Sequence, residues 1–311
     1  MTIRTFQPGD EEAQARIYNE AAAQLPKFKP ASTEEVRRRC KAADFDHGTR
    51  FYALADGQPV GYATFHLNGR VSFPWCQKGH ESMAEPLFQA VLQAMRERKL
   101  SKAFAAYRED WPAQQEFFLA HGFHKARDMV NFVLDMADMP TPAARRSAGS
   151  TPIRPEDVRG LAQLMPEALR TSSPADLDSY YLHNPYFPAD SLFVIRQQKE
   201  GPPDAVGVVI ANPEYSNPKQ VDAAMPCFRL GAFGTEGMQT KRINGLFSFL
   251  ARADEVNRLG LELLGRAIFR LQRTEVETFA AQAPSDAPHL LRFYQHHFRK
   301  QGSFPVLERA L

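Results

Sequence analysis

The sequence has little cysteine, little tryptophan and almost no net charge. Three of its 311 residues are cysteine, at Cys40, Cys76 and Cys227. They are far apart, odd in number, and show no Cys-x-x-Cys or Cys/His ligand spacing. That removes the basis for a disulfide framework or a zinc site, and no metal is expected. The same pattern fits a reducing compartment, so a cytoplasmic location is expected. The net charge of +2 is too small to make nucleic acid or an anionic membrane the main partner. No apolar run approaches the ~18 residues of a membrane span, and the opening "MTIRTFQPGDEEAQARIYNE" lacks the apolar core of a signal peptide. No Ser/His/Asp arrangement stands out either.

What is present is ordinary for a globular chain, with 43% apolar and 24% charged residues. The length suits two domains of roughly 150 residues each. The stretch "MADMPTPAARRSAGSTP", from Met136 to Pro152, lacks helical or strand periodicity and is rich in Pro, Ala, Ser and Thr. It reads as an exposed linker. The limits drawn from it are a first domain over 1–137, a linker over 138–151 and a second domain over 152–311.

The two halves are similar. When Phe123 is set on Phe298, a shift of 175 residues, Ala103–Phe123 falls without gaps on Thr278–Phe298. Six positions are identical: Phe104/Phe279, Ala105/Ala280, Ala106/Ala281, Phe118/Phe293, His121/His296 and Phe123/Phe298. Composition alone predicts roughly one. Both halves also open on Ile-Arg, at Ile3-Arg4 and Ile153-Arg154, followed by a Pro/Asp turn and a helical pattern. The chain reads as a duplication.

Each half carries the same order of elements. In the first, a short strand at Thr2–Thr5 precedes a helix over Asp10–Ala23. Ser32-Thr33-Glu34-Glu35 is a capping box opening a second helix. Two alternating apolar runs around Asp56-Gly57 form a hairpin. A strand "RVSFPW", a helix over Ser82–Arg98, a strand "KAFAAY", a helix "PAQQEFFLAH" and a strand "MVNFVLDM" follow. In the second half a strand at Ile153-Arg154, helices over Glu156–Leu169 and from Ser173-Pro174, and a hairpin "SLFVIRQQKEGPPDAVGVVIA" lead to a strand "CFRLGAF". A helix is expected over Ile243–Leu259, with a further helical segment over Leu261–Leu271. The strand "VETFAA", the helix "HLLRFYQHH" and the strand "FPVLERA" close the chain.

This order, repeated, resembles a tandem member of the GNAT superfamily of acyl-CoA-dependent N-acyltransferases. The residues carrying the resemblance are Val60-Gly61-Tyr62-Ala63 and Val206-Gly207-Val208-Val209 at the hairpin ends, and "FFLAHGF", similar to the family's "lYeklGF". It covers nearly the whole chain outside the linker. It implies a mixed α/β (α+β) fold, with two domains of mostly antiparallel central sheet flanked by helices. It also implies acetyl-CoA or another acyl-CoA as co-substrate and a small-molecule or peptide amine as acceptor.

The family holds the pyrophosphate of CoA on a Q/R-x-x-G-x-G/A loop between the fourth strand and the next helix. Free amides and the positive end of the helix dipole bind anions there. In the second half Gln239, Thr240, Lys241, Arg242, Ile243, Asn244 and Gly245 match this loop imperfectly: Arg242 and Asn244 stand where Gly is expected, and Gly245 comes one place late. Lys241 and Arg242 offer charge-assisted bonds to phosphate. In the first half "Gln77-Lys-Gly-His-Glu-Ser82-Met-Ala84" puts Glu81 towards a phosphate, which favours the second half.

Direct transfer needs a base to take the amine proton and an acid to protonate the leaving thiolate. The family's tyrosine position falls on Phe118 and Phe293, neither a tyrosine. Tyr294 lies one place further, ~100° round a helix, and serves as acid only if the helix closes differently, for which "HHF" in place of "HGF" gives room. Packing accounts for it equally well. Glu236 is the candidate base. In the first half His66, His80 with Glu81, and Tyr107 are secondary candidates, while His121 and His296 suit the ends of helices. The acceptor pocket would be built from the helix pair and loops 25–50 and 170–190. A reading from another class is a catalytically degenerate tandem module that binds acyl-CoA or a partner without turning it over.

Overall fold

The computed structural model describes residues 2–41, 45–138, 151, 153–168, 174–183, 191–198, 200–211, 243–271 and 277–311. These pack into two compact units. Unit 1 holds Met1–Ala126 together with Phe304–Leu311, and unit 2 holds Arg127–Ser303. Most of the expected linker lies outside the described residues.

Unit 1 begins with β1 (Thr2–Thr5), α1 (Asp10–Ala22) and α2 (Thr33–Cys40). The hairpin forms as expected, with β2 (Arg50–Ala55) and β3 (Gln58–Thr64) joined by Asp56 and Gly57. Both turn residues have positive φ, 50° and 78°, which is the geometry that matches the twist of paired strands. The short β4 (Trp75–Cys76) completes an antiparallel sheet in the order β1-β2-β3-β4. Then come α3 (Ala84–Glu97), β5 (Lys102–Ala106) and α4 (Pro112–Ala120). β5 pairs antiparallel with the end of the chain's last strand, from Val306↔Ala106 to Ala310↔Lys102.

The capping box is made in both directions. The Glu35 N–H donates to Ser32 Oγ at 3.1 Å, and the Ser32 N–H donates to Glu35 Oε2 at 3.0 Å. Ser32→Ala should therefore cost about 1 kcal/mol, read as a lower urea midpoint with an unchanged slope.

Unit 2 contains β6 (His124–Asp135, from Arg127 on), α5 (Asp157–Leu164), α6 (Pro174–Leu182), β7 (Leu192–Ile195), β8 (Ala205–Ala211), β9 (Ile243–Ala251), α7 (Val256–Leu271), β10 (Thr278–Pro284), α8 (Pro288–His297) and the start of β11 (Arg299–Ala310). Its sheet runs β6-β10-β9-β8-β7. β9 and β10 are parallel and the other pairs are antiparallel. Pro174 opens α6 as expected from its fixed φ.

Three expectations are corrected. Ile243–Leu259 is not one helix: Ile243–Ala251 is strand β9, and a single helix, α7, follows. Buried Leu246, Phe247, Phe249 and Leu250 belong to a strand covered on both faces, a pattern that imitates a buried helix in sequence. Ile153-Arg154 forms no strand, and Thr151 alone bridges to Val194. The helix expected over Glu156–Leu169 stops at Leu164, because Pro166 cannot continue it, and a 3-10 turn follows at Pro166–Ala168.

The duplication is visible in detail. Phe104 and Phe279 lie in β5 and β10, Phe118 and Phe293 are buried in α4 and α8, and buried Phe123 and Phe298 each directly precede a final strand. Gly61 and Gly207 also do the same work. A Cβ at Gly61 would lie 3.1 Å from Leu87 of α3, and one at Gly207 would lie 3.0 Å from Leu263 of α7. The two glycines let a helix lie close on the sheet. Each half opens its first helix on a buried aspartate: Asp10 accepts from Arg4 at 2.6 and 2.8 Å and from the Gln7 N–H, while Asp157 accepts from Arg196 and from the Arg154 N–H.

Candidate functional site

In unit 1 the segment that leads into β4 meets β5 at one parallel bridge, Arg70 with Phe104, and then leaves it. The Phe104 N–H donates to the Gly69 carbonyl at 2.8 Å, and the Val71 N–H donates to the Phe104 carbonyl at 2.9 Å. In a regular parallel ladder the next rung would join the Phe73 N–H to Ala106. Instead Phe73 donates to the phenol oxygen of Tyr107 at 2.5 Å. The Tyr107 ring stacks on Trp111 and Phe118, with centroids 6.1 and 5.8 Å away. Phe73 packs edge-on against Trp75 and Phe117, each at 5.0 Å. Burial pushes the Tyr107 pKa up to about 12, with the Phe73 N–H pulling the other way. Tyr107 is thus a strand-gap filler.

The turn between β4 and α3 is also filled. Glu20 of α1 accepts from the Lys78 N–H at 3.1 Å and from Gln77 Nε2 at 2.7 Å. Glu81 accepts from the Gly79 N–H at 3.0 Å. Gln77 and then Lys78 hold the Glu20 pKa below the usual carboxylate range, and the backbone N–H groups of Glu81 and Gly79 do the same for Glu81. His66, at the end of the hairpin, is exposed. The His121 ring nitrogens lie against two oxygens, the Phe117 carbonyl at 2.6 Å and Glu85 Oε2 at 2.5 Å. The hydrogen bonds from Gln89 and then His121 lower the Glu85 pKa.

These three carboxylates set an acid limit. Their folded pKa values lie below the unfolded ones, so their contribution is complete above about pH 5 and disappears as pH falls through the folded values, below ~4.3. Both tryptophans of the chain, Trp75 and Trp111, lie in unit 1, so tryptophan emission reports on it. The urea midpoint by emission should stay level from neutrality to about pH 5 and fall below that. Glu20→Gln with Glu85→Gln should flatten the fall, and an identical decline in this variant would contradict the assignment.

Among the described residues the parallel pair β9/β10 is made by Ile243 with Thr278, Gly245 with Phe279 and Leu246 with Ala280. Beyond it β10 continues along β6 and β9 along β8. Over the parting lies Tyr294 of α8, which is fully buried. Its ring stacks on Phe132 of β6 at 5.6 Å and meets Phe249 of β9 at 5.8 Å and Phe298 at 5.0 Å. Its hydroxyl has no well-formed hydrogen bond. Desolvation raises its pKa strongly, and the nearby Phe249 N–H offsets part of that.

The helix ends explain why Tyr294 points inward. α4 stops at Ala120, and Gly122 turns the chain with φ 75°. α8 has no glycine there and runs through His297 straight into β11. Phe293 and Tyr294 are both buried, whereas Leu119, the ungapped partner of Tyr294, is 48% exposed. Gly260 of α7 helps to seat this cluster, since a Cβ there would come within 2.7 Å of both Phe249 and Phe293.

Only the last three residues of the expected cofactor loop are described. Gln239, Thr240, Lys241 and Arg242, and the expected base Glu236 with the strand "CFRLGAF", lie outside the described residues. Ile243, Asn244 and Gly245 begin β9, where Gly245 is opposite Ala211 on one side and Phe279 on the other. The turn that leads into α7 is Arg252-Ala253-Asp254-Glu255. Arg252 pairs with Asp254 at 2.9 Å and Asp204 at 3.3 Å, and Arg258 pairs with Glu255 at 2.5 Å. Sequence reading missed this turn because it carries no glycine. Among the described residues no His/Cys/Asp/Glu group could hold a metal, and no helix is long and apolar enough to cross a membrane.

No family model matches the sequence, and no curated protein matches it. Solved structures do resemble the fold. A GCN5-related N-acetyltransferase from Sphaerobacter thermophilus superposes with a TM-score of 0.64 at 14% identity, over 99% of this chain and 95% of that one. A GCN5-related glucosamine N-acetyltransferase region of a fungal multi-domain GH3 β-N-acetylglucosaminidase gives 0.69 at 14% identity, over 99% of this chain and 38% of that one. A tandem GNAT protein from the clavulanic acid biosynthesis pathway gives 0.57 at 13% identity, over 99% and 98%. At such identities the likeness concerns the fold: the chain has the tandem GNAT fold.

Proposed function

We propose that the protein transfers an acyl group, by default acetyl, from acyl-CoA to a primary amine of a small molecule or peptide, and that unit 2 carries the reaction. The observation behind this is the Tyr294 hydroxyl: buried, without a well-formed hydrogen bond, and placed where β9 and β10 part. A buried phenol left in this state costs roughly 1–3 kcal/mol, a cost that a reacting group would offset. The amine nitrogen attacks the thioester carbonyl, the carbon–sulfur bond breaks, and the thiolate takes the proton of Tyr294. Glu236 or a water takes the amine proton.

Arg252 and Arg258 flank the start of α7 and would hold the pyrophosphate, in competition with Asp254 and Glu255; Lys241 and Arg242 would add charge. The test is release of free thiol from acetyl-CoA over a panel of primary amines. Amine-dependent release supports transfer. Binding without release under any amine supports the second reading, a binding module without catalysis.

A further inference from the structure

Three backbone donors in unit 1 lie where the resemblance to GNAT folds would put an acyl-CoA: the Phe73 N–H in the strand gap, and the Lys78 and Gly79 N–H groups at the turn before α3. All three are satisfied by side chains of the same unit, through Tyr107, Glu20 and Glu81 respectively. Glu20 takes the Lys78 N–H with one oxygen and the Gln77 amide with the other, as a phosphate would. Its own helix also sends Arg16 to Gln77 Oε1 at 3.1 Å, which fixes the Gln77 amide. An incoming pyrophosphate would meet two carboxylates, and its unfavourable charge contact is strongest where the amides are best placed. An incoming thioester would have to displace a phenol held by a hydrogen bond and two ring stacks.

We propose that Glu20, Glu81 and Tyr107 are built-in occupants of the unit 1 cleft, so that this unit takes no acyl-CoA and the chain binds a single equivalent, in unit 2. The count of one rests on the function proposed for unit 2; the closure of unit 1 does not.

Two measurements test it. The first is equilibrium dialysis with labelled acetyl-CoA, followed by peptide mapping after photolabelling with a diazirine acyl-CoA. One equivalent, with label confined to residues 127–303, is the expected result. Label on peptides holding Phe73, Lys78 or Gly79, or two equivalents, overturns the closure. No binding at all supports the closure and removes the proposed function instead. The second follows the Lys78 and Gly79 amide resonances during titration with inorganic pyrophosphate. In the natural sequence they should not move, and in Glu20→Ala/Glu81→Ala they should shift. Movement in the former, or none in the latter, overturns the role given to the two carboxylates.

Discussion

Tyr294→Phe should leave the fold and acyl-CoA binding intact and lower the rate of amine acylation by ~10²–10⁴, the usual contribution of a positioned acid. The ring is the reason for expecting an intact fold. It stacks on Phe132 and packs on Phe249, Phe293 and Phe298, and phenylalanine keeps all of those contacts. The hydroxyl contributes no well-formed hydrogen bond to the fold, so its loss is neutral or slightly stabilising. A role in packing alone would leave the rate unchanged and the melting temperature unchanged or raised. A role as acid would lower kcat while the acyl-CoA dissociation constant stays the same. Single-turnover acylation, with calorimetry on the same variant, separates the two.

Deleting Phe304–Leu311 should unfold unit 1, although these residues lie far in sequence from the rest of it. The segment supplies the strand that pairs with β5 from Lys102 to Ala106. It also buries Leu307 among Phe88, Leu92, Ala103 and Phe118, and places Phe304 under the guanidinium of Arg108 at 5.9 Å. Burial of a large apolar side chain is worth about 1.5–3 kcal/mol, and each ladder hydrogen bond adds ~0.5–1.5. The loss is then comparable with the ~5–15 kcal/mol that holds a domain together. The truncated protein should show the red-shifted tryptophan emission of an unfolded unit 1 and fast amide exchange in β5. Leu307→Ala should give a partial version, about 2–5 kcal/mol. A truncated chain with natural emission and slow exchange in β5 would contradict this account of how unit 1 is closed.

Much of this was legible in the sequence, where a local signal settled a local structure. Asp56-Gly57 between alternating runs gave the hairpin, Ser32 and Glu35 gave the capping box, and Pro174 gave the start of α6. The repeat was readable because Phe118 and Phe123 are buried at the same places as Phe293 and Phe298, and Phe104 and Phe279 fall in corresponding strands. Other features depend on partners that the chain does not announce. The apolar residues of β9 are buried on both faces, so their spacing shows burial without showing strand or helix. β11 reads as a strand, but nothing in "FPVLERA" says that it will lie along β5. Tyr294 was one place off the family position, and its inward direction came from a helix that runs on to His297 where its counterpart ends in a glycine turn. The turn at Arg252–Glu255 went unnoticed because its chemistry is acidic where glycine was sought.

The most direct test of the central claim is a crystal structure with a non-hydrolysable acyl-CoA analogue. The account predicts the thioester mimic between β9 and β10, within hydrogen-bond reach of the Tyr294 hydroxyl, and Tyr107 still bonded to the Phe73 N–H. An analogue lodged in the gap beside Phe73, with Tyr107 displaced and Tyr294 untouched, would contradict it.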